Sequence, residues 1–95
     1  MNKETKIQRE IQEYLKGRRI FHFRVNADDT TVGIPDIIAC YRGCFVGIEV
    51  KTKTGKPSEM QLAVAKEIEN NLGYIVFPTC VADLINIFEV IDASL

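Results

Sequence analysis

Gly33-Ile34-Pro35-Asp36-Ile37-Ile38-Ala39-Cys40-Tyr41-Arg42-Gly43-Cys44-Phe45-Val46-Gly47-Ile48-Glu49-Val50-Lys51 is the stretch on which the fold turns. Two apolar runs, 35–41 and 44–50, flank Arg42-Gly43. A tight turn there makes the runs the arms of a β-hairpin. With the turn at 42–43, partners across the hairpin sum to 85, so residue 36 falls opposite residue 49. Glu49 and Lys51 are two apart and share a strand face. The register therefore sets Asp36 beside Glu49, with Lys51 close by. Like charges directly opposite one another are destabilising unless something offsets them. A divalent cation offsets them, and Lys51 helps.

Working outward, residues 2–16 carry Ile7, Ile11, Tyr14 and Leu15 at helical spacing, with Gly17 placed to stop the helix. Residues 20–26 alternate, Phe21, Phe23 and Val25 against His22, Arg24 and Asn26, as a half-buried strand does. Ala27 to Gly33 is a polar loop. Thr54-Gly55-Lys56-Pro57 is a loop rich in breakers. From Ser58 to Leu72, Met60, Val64, Ile68 and Leu72 form a stripe at steps of four, and Ser58 with Gln61 is a capping-box pattern. Gly73 ends that helix. Tyr74-Ile75-Val76-Phe77 is a short strand closed by Pro78. A last helix runs from Val81 to about Val90, with Leu84, Ile85 and Phe88 inward. The order α-β-β-β-α-β-α predicts an α/β protein whose mixed central sheet is flanked by helices.

The chain of 95 residues accommodates one domain, 1–95, with a thin core. At 46% hydrophobic and 26% charged it has the composition of a globular protein. No apolar stretch approaches the roughly 20 residues that cross a bilayer, and no signal-peptide pattern follows Met1, so no membrane role is expected and the expected compartment is the cytoplasm. Three cysteines, Cys40, Cys44 and Cys80, with one histidine, fit neither a disulfide framework nor a zinc site and are read as small buried side chains. The net charge of −1 hides an asymmetry. Residues 1–24 hold seven basic and three acidic side chains, and residues 57–95 hold one basic and six acidic. That distribution fits either a basic face or a chance imbalance on solvated helices.

Carboxylate oxygens at Asp36 and Glu49 suit a hard ion, Mg²⁺ or Mn²⁺, and nothing in the sequence suggests an organic cofactor. With Lys51 they are a set of parts for phosphodiester hydrolysis. The bland alternative is a surface Glu and Lys that face an Asp, because Glu-x-Lys is a common pattern.

In this order and spacing, Glu4, Arg24-x-Asn26, Gly33-x-Pro35-Asp36, Glu49-Val50-Lys51 and Ser58-x-x-Gln61 resemble the VRR-NUC family of the PD-(D/E)xK nuclease superfamily over nearly the whole chain. The resemblance implies a restriction-endonuclease-like core and a metal-dependent DNA endonuclease. Short stand-alone members imply a homodimer acting on branched DNA such as four-way (Holliday) junctions. It implies Asp36 and Glu49 as metal ligands with the Val50 backbone carbonyl, Lys51 as the catalytic lysine, and Glu4 as a first-helix carboxylate reaching the metal directly or through water. A Glu in a first turn also favours the helix dipole with no further role. Gln61 has two readings: a capping-box partner of Ser58, or a group aimed at the metal-bound water or the phosphate. Arg18, Arg19, Arg24, Lys53 and Lys56 are the expected phosphate contacts. His22 reads as a surface or packing residue. The expected dimer interface lies in the acidic C-terminal half, leaving the basic half for DNA. The rival from another class is a non-catalytic nucleic-acid-binding or protein-interaction module on the same fold.

Overall fold

A computed structural model describes residues 2–26 and 32–95. The loop expected over 27–33 thus lies largely outside the described residues. The elements are α1 (Lys3–Gly17), β1 (Phe21–Arg24), β2 (Ile37–Tyr41), β3 (Cys44–Ile48), α2 (Glu59–Asn70), β4 (Tyr74–Val76) and α3 (Val81–Ser94). This is the expected α-β-β-β-α-β-α order. The strands form one mixed sheet in the order β1-β2-β3-β4. The first three pair antiparallel and β4 joins β3 in parallel. The parallel pair needs a crossover, which α2 supplies.

The hairpin is set by its turn. Arg42 and Gly43 have φ of 51° and 85°, the pair of positive values that a two-residue turn matched to strand twist requires. Ile37 pairs with Ile48 and Tyr41 with Cys44, so partners sum to 85 as the sequence predicts.

One face of the sheet, carrying Ile37, Ala39, Tyr41, Val46, Ile48 and Val50, packs against Ile11 and Leu15 of α1 and Leu84, Phe88 and Ile91 of α3. This is the main core, and Phe88 stacks on Tyr41 at its centre. On the other face α2 covers the β3–β4 side. Its Ile68 lies over Gly73 and Phe45, and a Cβ at Gly73 would meet Ile68 Cγ2 at 2.7 Å. Helices thus lie on both faces.

Five sequence expectations need correction. Phe21 and Phe23 are 71% and 50% exposed, because among the described residues no helix covers β1 on the face they occupy. In α2 the stripe contracts to Val64, Ala65 and Ile68, with Met60 52% and Leu72 87% exposed. Gly17 is the last residue of α1 and not its left-handed cap, since Arg19 takes the positive φ, 56°. Leu72, not Gly73, turns left-handed after α2, at φ 67°; the glycine is there for close packing. Cys40 and Cys80 are exposed and Cys44 is half-buried, all three free. Among the described residues, no helix is long and apolar enough to cross a membrane.

Candidate active site

The two strands of the hairpin diverge just past Ile37 and Ile48, and the chemistry-bearing side chains collect there. β3 continues its parallel ladder beyond β4: Glu49 N–H donates to Val76 O at 2.9 Å and Lys51 N–H to Pro78 O at 3.0 Å. Extended backbone through 49–51 keeps Val50 in the main core and turns Glu49 and Lys51 to the α2 side. On the other strand, Asp36 O accepts from Val25 N–H at 2.8 Å, which fixes Asp36 against the end of β1.

Asp36 and Glu49 are tied to each other's strands. Asp36 N–H donates to Glu49 Oε2 at 3.1 Å, and Val50 N–H donates to Asp36 Oδ2 at 2.9 Å. Each carboxylate is thus anchored by a backbone amide of the opposite arm. Lys51 Nζ lies 3.9 Å from Glu49 Oε1, with the two side chains 17% and 7% exposed. Ser58 and Gln61 form a complete capping box at the start of α2: Ser58 Oγ accepts from Gln61 N–H at 3.1 Å, and Gln61 Oε1 accepts from Ser58 N–H at 2.9 Å. With its oxygen held there, the amide directs Nε2 to Glu49 Oε1 at 2.6 Å. The two readings of Gln61 are therefore compatible. It caps the helix and it touches the carboxylate pair.

Burial pushes the Glu49 carboxyl up to about 7, and the adjacent Asp36 charge adds to the rise against the pull of Lys51. Asp36 is also raised, by burial first; the Val50 amide works against this, and the charge of Glu4 adds to it. Two carboxyls that resist ionising together mark a place for added positive charge. The donors are all oxygen, which suits a hard divalent ion.

Glu4 is exposed in the first turn of α1, whose N-cap is Asn2: Asn2 Oδ1 accepts from Thr5 N–H at 2.7 Å. Its charge reaches Asp36 and Glu49. Among the described residues, however, no group of three His, Cys, Asp or Glu side chains is close enough to hold one ion, so Glu4 stands outside direct contact.

Arg24 ends β1, and its charge lowers the Asp36 pKa. Arg18 donates to Tyr14 Oη at 2.6 Å and lies over that ring; its placement is structural as well as cationic. Arg19, Lys53 and Lys56 are exposed. His22 Nδ1 sits 2.8 Å from Ile20 O, in keeping with a packing role. Lys3 and Lys6 were missed by the sequence reading. They converge with Lys53, Thr52 and Thr79, and with the acidic Glu10, on a cleft of about 610 Å³ bordered by the residues that follow Lys51. The signal was present in their i, i+3 spacing at the start of a helix, but only the tertiary fold shows that this turn faces Lys53.

A solved structure described as a VRR_NUC domain superposes on the chain with a TM-score of 0.78 and 19% sequence identity, covering 94% of this chain and 97% of that one. The chain has a VRR_NUC-type fold. Neither a protein-family model nor a curated protein sequence matches it. The likeness is one of fold, with a four-stranded mixed sheet in the order β1-β2-β3-β4.

Proposed function

We propose that the protein is a divalent-metal-dependent nuclease that hydrolyses DNA phosphodiester bonds, with branched DNA such as a Holliday junction as substrate. The observation that carries this reading is the interlocked pair of buried Glu49 and half-buried Asp36, amide-anchored and flanked by Lys51 and Gln61. The VRR_NUC-type fold supports it, since that fold belongs to a nuclease family.

Asp36 and Glu49 would hold Mg²⁺ or Mn²⁺, with the Val50 carbonyl as a further ligand and Glu4 acting through water. Such an ion, when bound, supplies a more acidic water and neutralises charge on the scissile phosphate. The chain's own groups do the rest. Lys51 Nζ, held near Glu49 and only partly exposed, stabilises charge that develops on the phosphate or orients the attacking water. Gln61 fixes the Glu49 carboxylate through Nε2. Lys3, Lys6 and Lys53 supply a cationic approach for the DNA backbone, with Arg18, Arg19, Arg24 and Lys56 extending it. The partner is DNA, and no organic cofactor is needed for these steps.

The test is cleavage of linear, flapped, single-stranded and four-way-junction DNAs with Mg²⁺, with Mn²⁺ and with chelator. Metal-dependent cutting that favours the junction is expected. No cutting of any DNA under either metal, by folded protein, would leave only the binding-module alternative.

A further inference from the structure

Residues 18–24 read Arg18-Arg19-Ile20-Phe21-His22-Phe23-Arg24, two aromatics set among cations on one short strand. Ile20 turns inward and is buried, whereas Phe21 and Phe23 lie on the opposite face, 71% and 50% exposed. Their rings pack edge to face, centroids 6.3 Å apart at 67°, so each steadies the other without covering it. Two large rings left in water add little to the core, and contiguous apolar surface of this kind commonly marks an interaction site. Arg18, Arg19 and Arg24, at the two ends of the run, are exposed as well.

The strand register ties this pair of rings to the carboxylates. Phe21 stands opposite Cys40 and Phe23 opposite Ile38. Val25 N–H donates to Asp36 O at 2.8 Å, which carries the same register one row further. Cross-strand partners share a face, and so do residues two apart. Phe21, Phe23 and Asp36 therefore lie on one face of the sheet. With two residues to a row, the rings stand about 7 Å and about 14 Å along the strand from the Asp36 row. β1 is an edge of the sheet, so a ligand reaches the rings from the side as well as from above. Across the face on β3, Phe45 is 44% exposed but shares its groove with Glu67. A polyanion is thus steered along β1, between its arginines, and away from Phe45.

We propose that Phe21 and Phe23 are a stacking platform for two unpaired nucleobases beside the scissile phosphate. The placement beside the cut rests on the nuclease reading; the stacking does not. Every base has a π-face, so such a platform takes any sequence, while Arg19 and Arg24 hold the phosphates on either side. Bases inside a duplex are already stacked on their neighbours and do not reach the rings. The platform therefore selects DNA whose bases are unpaired next to the cut: a single strand, a flap, or the interrupted stack at a branch point. A second copy of the chain is the competing occupant. Packed through this strand, it would set like-charged arginines against one another, whereas phosphates are complementary to them.

The test is the affinity of the full chain, in chelator, for an oligothymidylate and for a blunt-ended hairpin duplex, read by fluorescence anisotropy over a range of salt. The Phe21→Ala, Phe23→Ala double variant should bind the single strand at least about tenfold more weakly, as loss of base stacking does. Its duplex affinity and its salt slope should match wild type, because no charge is removed. Phe21→Tyr with Phe23→Tyr keeps both rings and should bind the single strand as wild type does. Phe21→Ala alone, at the more exposed position, should fall between. Single-strand affinity retained in the double Ala variant overturns the proposal. So do equal losses on single strand and duplex in Phe21→Ala, or a double Tyr variant as weak as the double Ala one. A wild-type dimer by light scattering that the double Ala variant breaks, with single-strand affinity retained, assigns the face to a second copy instead. No cutting enters these readouts, so failure here leaves the nuclease reading untouched. Failure of that reading would appear as absent cleavage under either metal, with these affinities unchanged.

Discussion

Glu49 is where physics and function meet most tightly. Its carboxyl ordinarily titrates near 4.5 and is raised to about 7 by burial and by Asp36. A raised folded-state pKa contributes stability that is complete below the unfolded value and is lost as pH climbs through the folded one. Metal-free protein should therefore lose stability between about pH 5 and pH 8, by on the order of 3 kcal/mol at most. Asp36, also raised, acts in the same direction. Thermal melts in chelator should show the decline, Mg²⁺ should raise Tm more at pH 8 than at pH 5, and Glu49→Gln should flatten the profile. A metal-free Tm that rises across this range would contradict the assignment. Lys51 separates differently. Lys51→Ala should lower the cleavage rate about a hundredfold or more while calorimetric metal binding persists; an unchanged rate would make the residue a bystander. Gln61 and Ser58 divide the two jobs of the capping box. Ser58→Ala should cost about 1 kcal/mol of stability and leave the rate nearly intact, because the Ser58 backbone amide still holds Gln61 Oε1. Gln61→Ala should lose both stability and rate. Equal rate losses in the two variants would place Gln61 outside the chemistry. The sequence singled out Asp36, Glu49, Lys51 and Gln61, and the fold brings these four side chains together. It could not show that Gln61 fills two roles at once, because that depends on α2 starting within reach of the open end of the hairpin.

At the scale of elements, the hairpin was legible because a two-residue turn leaves one register. Helix and strand order followed from periodicity together with the turn, breaker and capping signals between the elements. What the alternation of Phe21, Phe23 and Val25 could not reveal is which face of β1 is covered. Period two separates two faces, but the helices decide which is core, and α1 and α3 took the opposite one. The stop signals misled for a related reason. Arg19 and Leu72 adopt left-handed φ that glycine usually takes, while Gly17 and Gly73 beside them do not. Gly47 tests the coupling between the elements and the site. A Cβ there would lie 2.8 Å from Pro35 Cγ and 3.0 Å from Ile75 Cδ1. Pro35 is buried next to Asp36, so Gly47→Ala must displace the segment that carries the carboxylate. It should cost about 1–3 kcal/mol as overpacking does, and lower the cleavage rate beyond what reduced folded population explains. Activity per folded molecule equal to wild type would show that the Pro35–Asp36 segment tolerates the shift.

For the whole molecule, a net charge of −1 gives no hint of a nucleic-acid partner, yet Lys3, Lys6 and Lys53 gather on a cleft bordered by the residues that follow Lys51. DNA affinity should therefore fall steeply with salt and depend little on sequence, and the Lys3→Ala, Lys6→Ala, Lys53→Ala triple variant should flatten the salt slope. A slope unchanged in that variant would move the DNA path elsewhere. The central claim is that Asp36 and Glu49 act together as the seat of a catalytic divalent ion. It is tested most directly by single-turnover cleavage of a four-way junction by chelator-stripped protein, with Mg²⁺ withheld and then restored, for wild type and Asp36→Asn. Wild type should cut nothing without metal and regain cutting with it, and folded Asp36→Asn should cut under neither condition. Cutting at the full rate in chelator, or by Asp36→Asn, would contradict the claim.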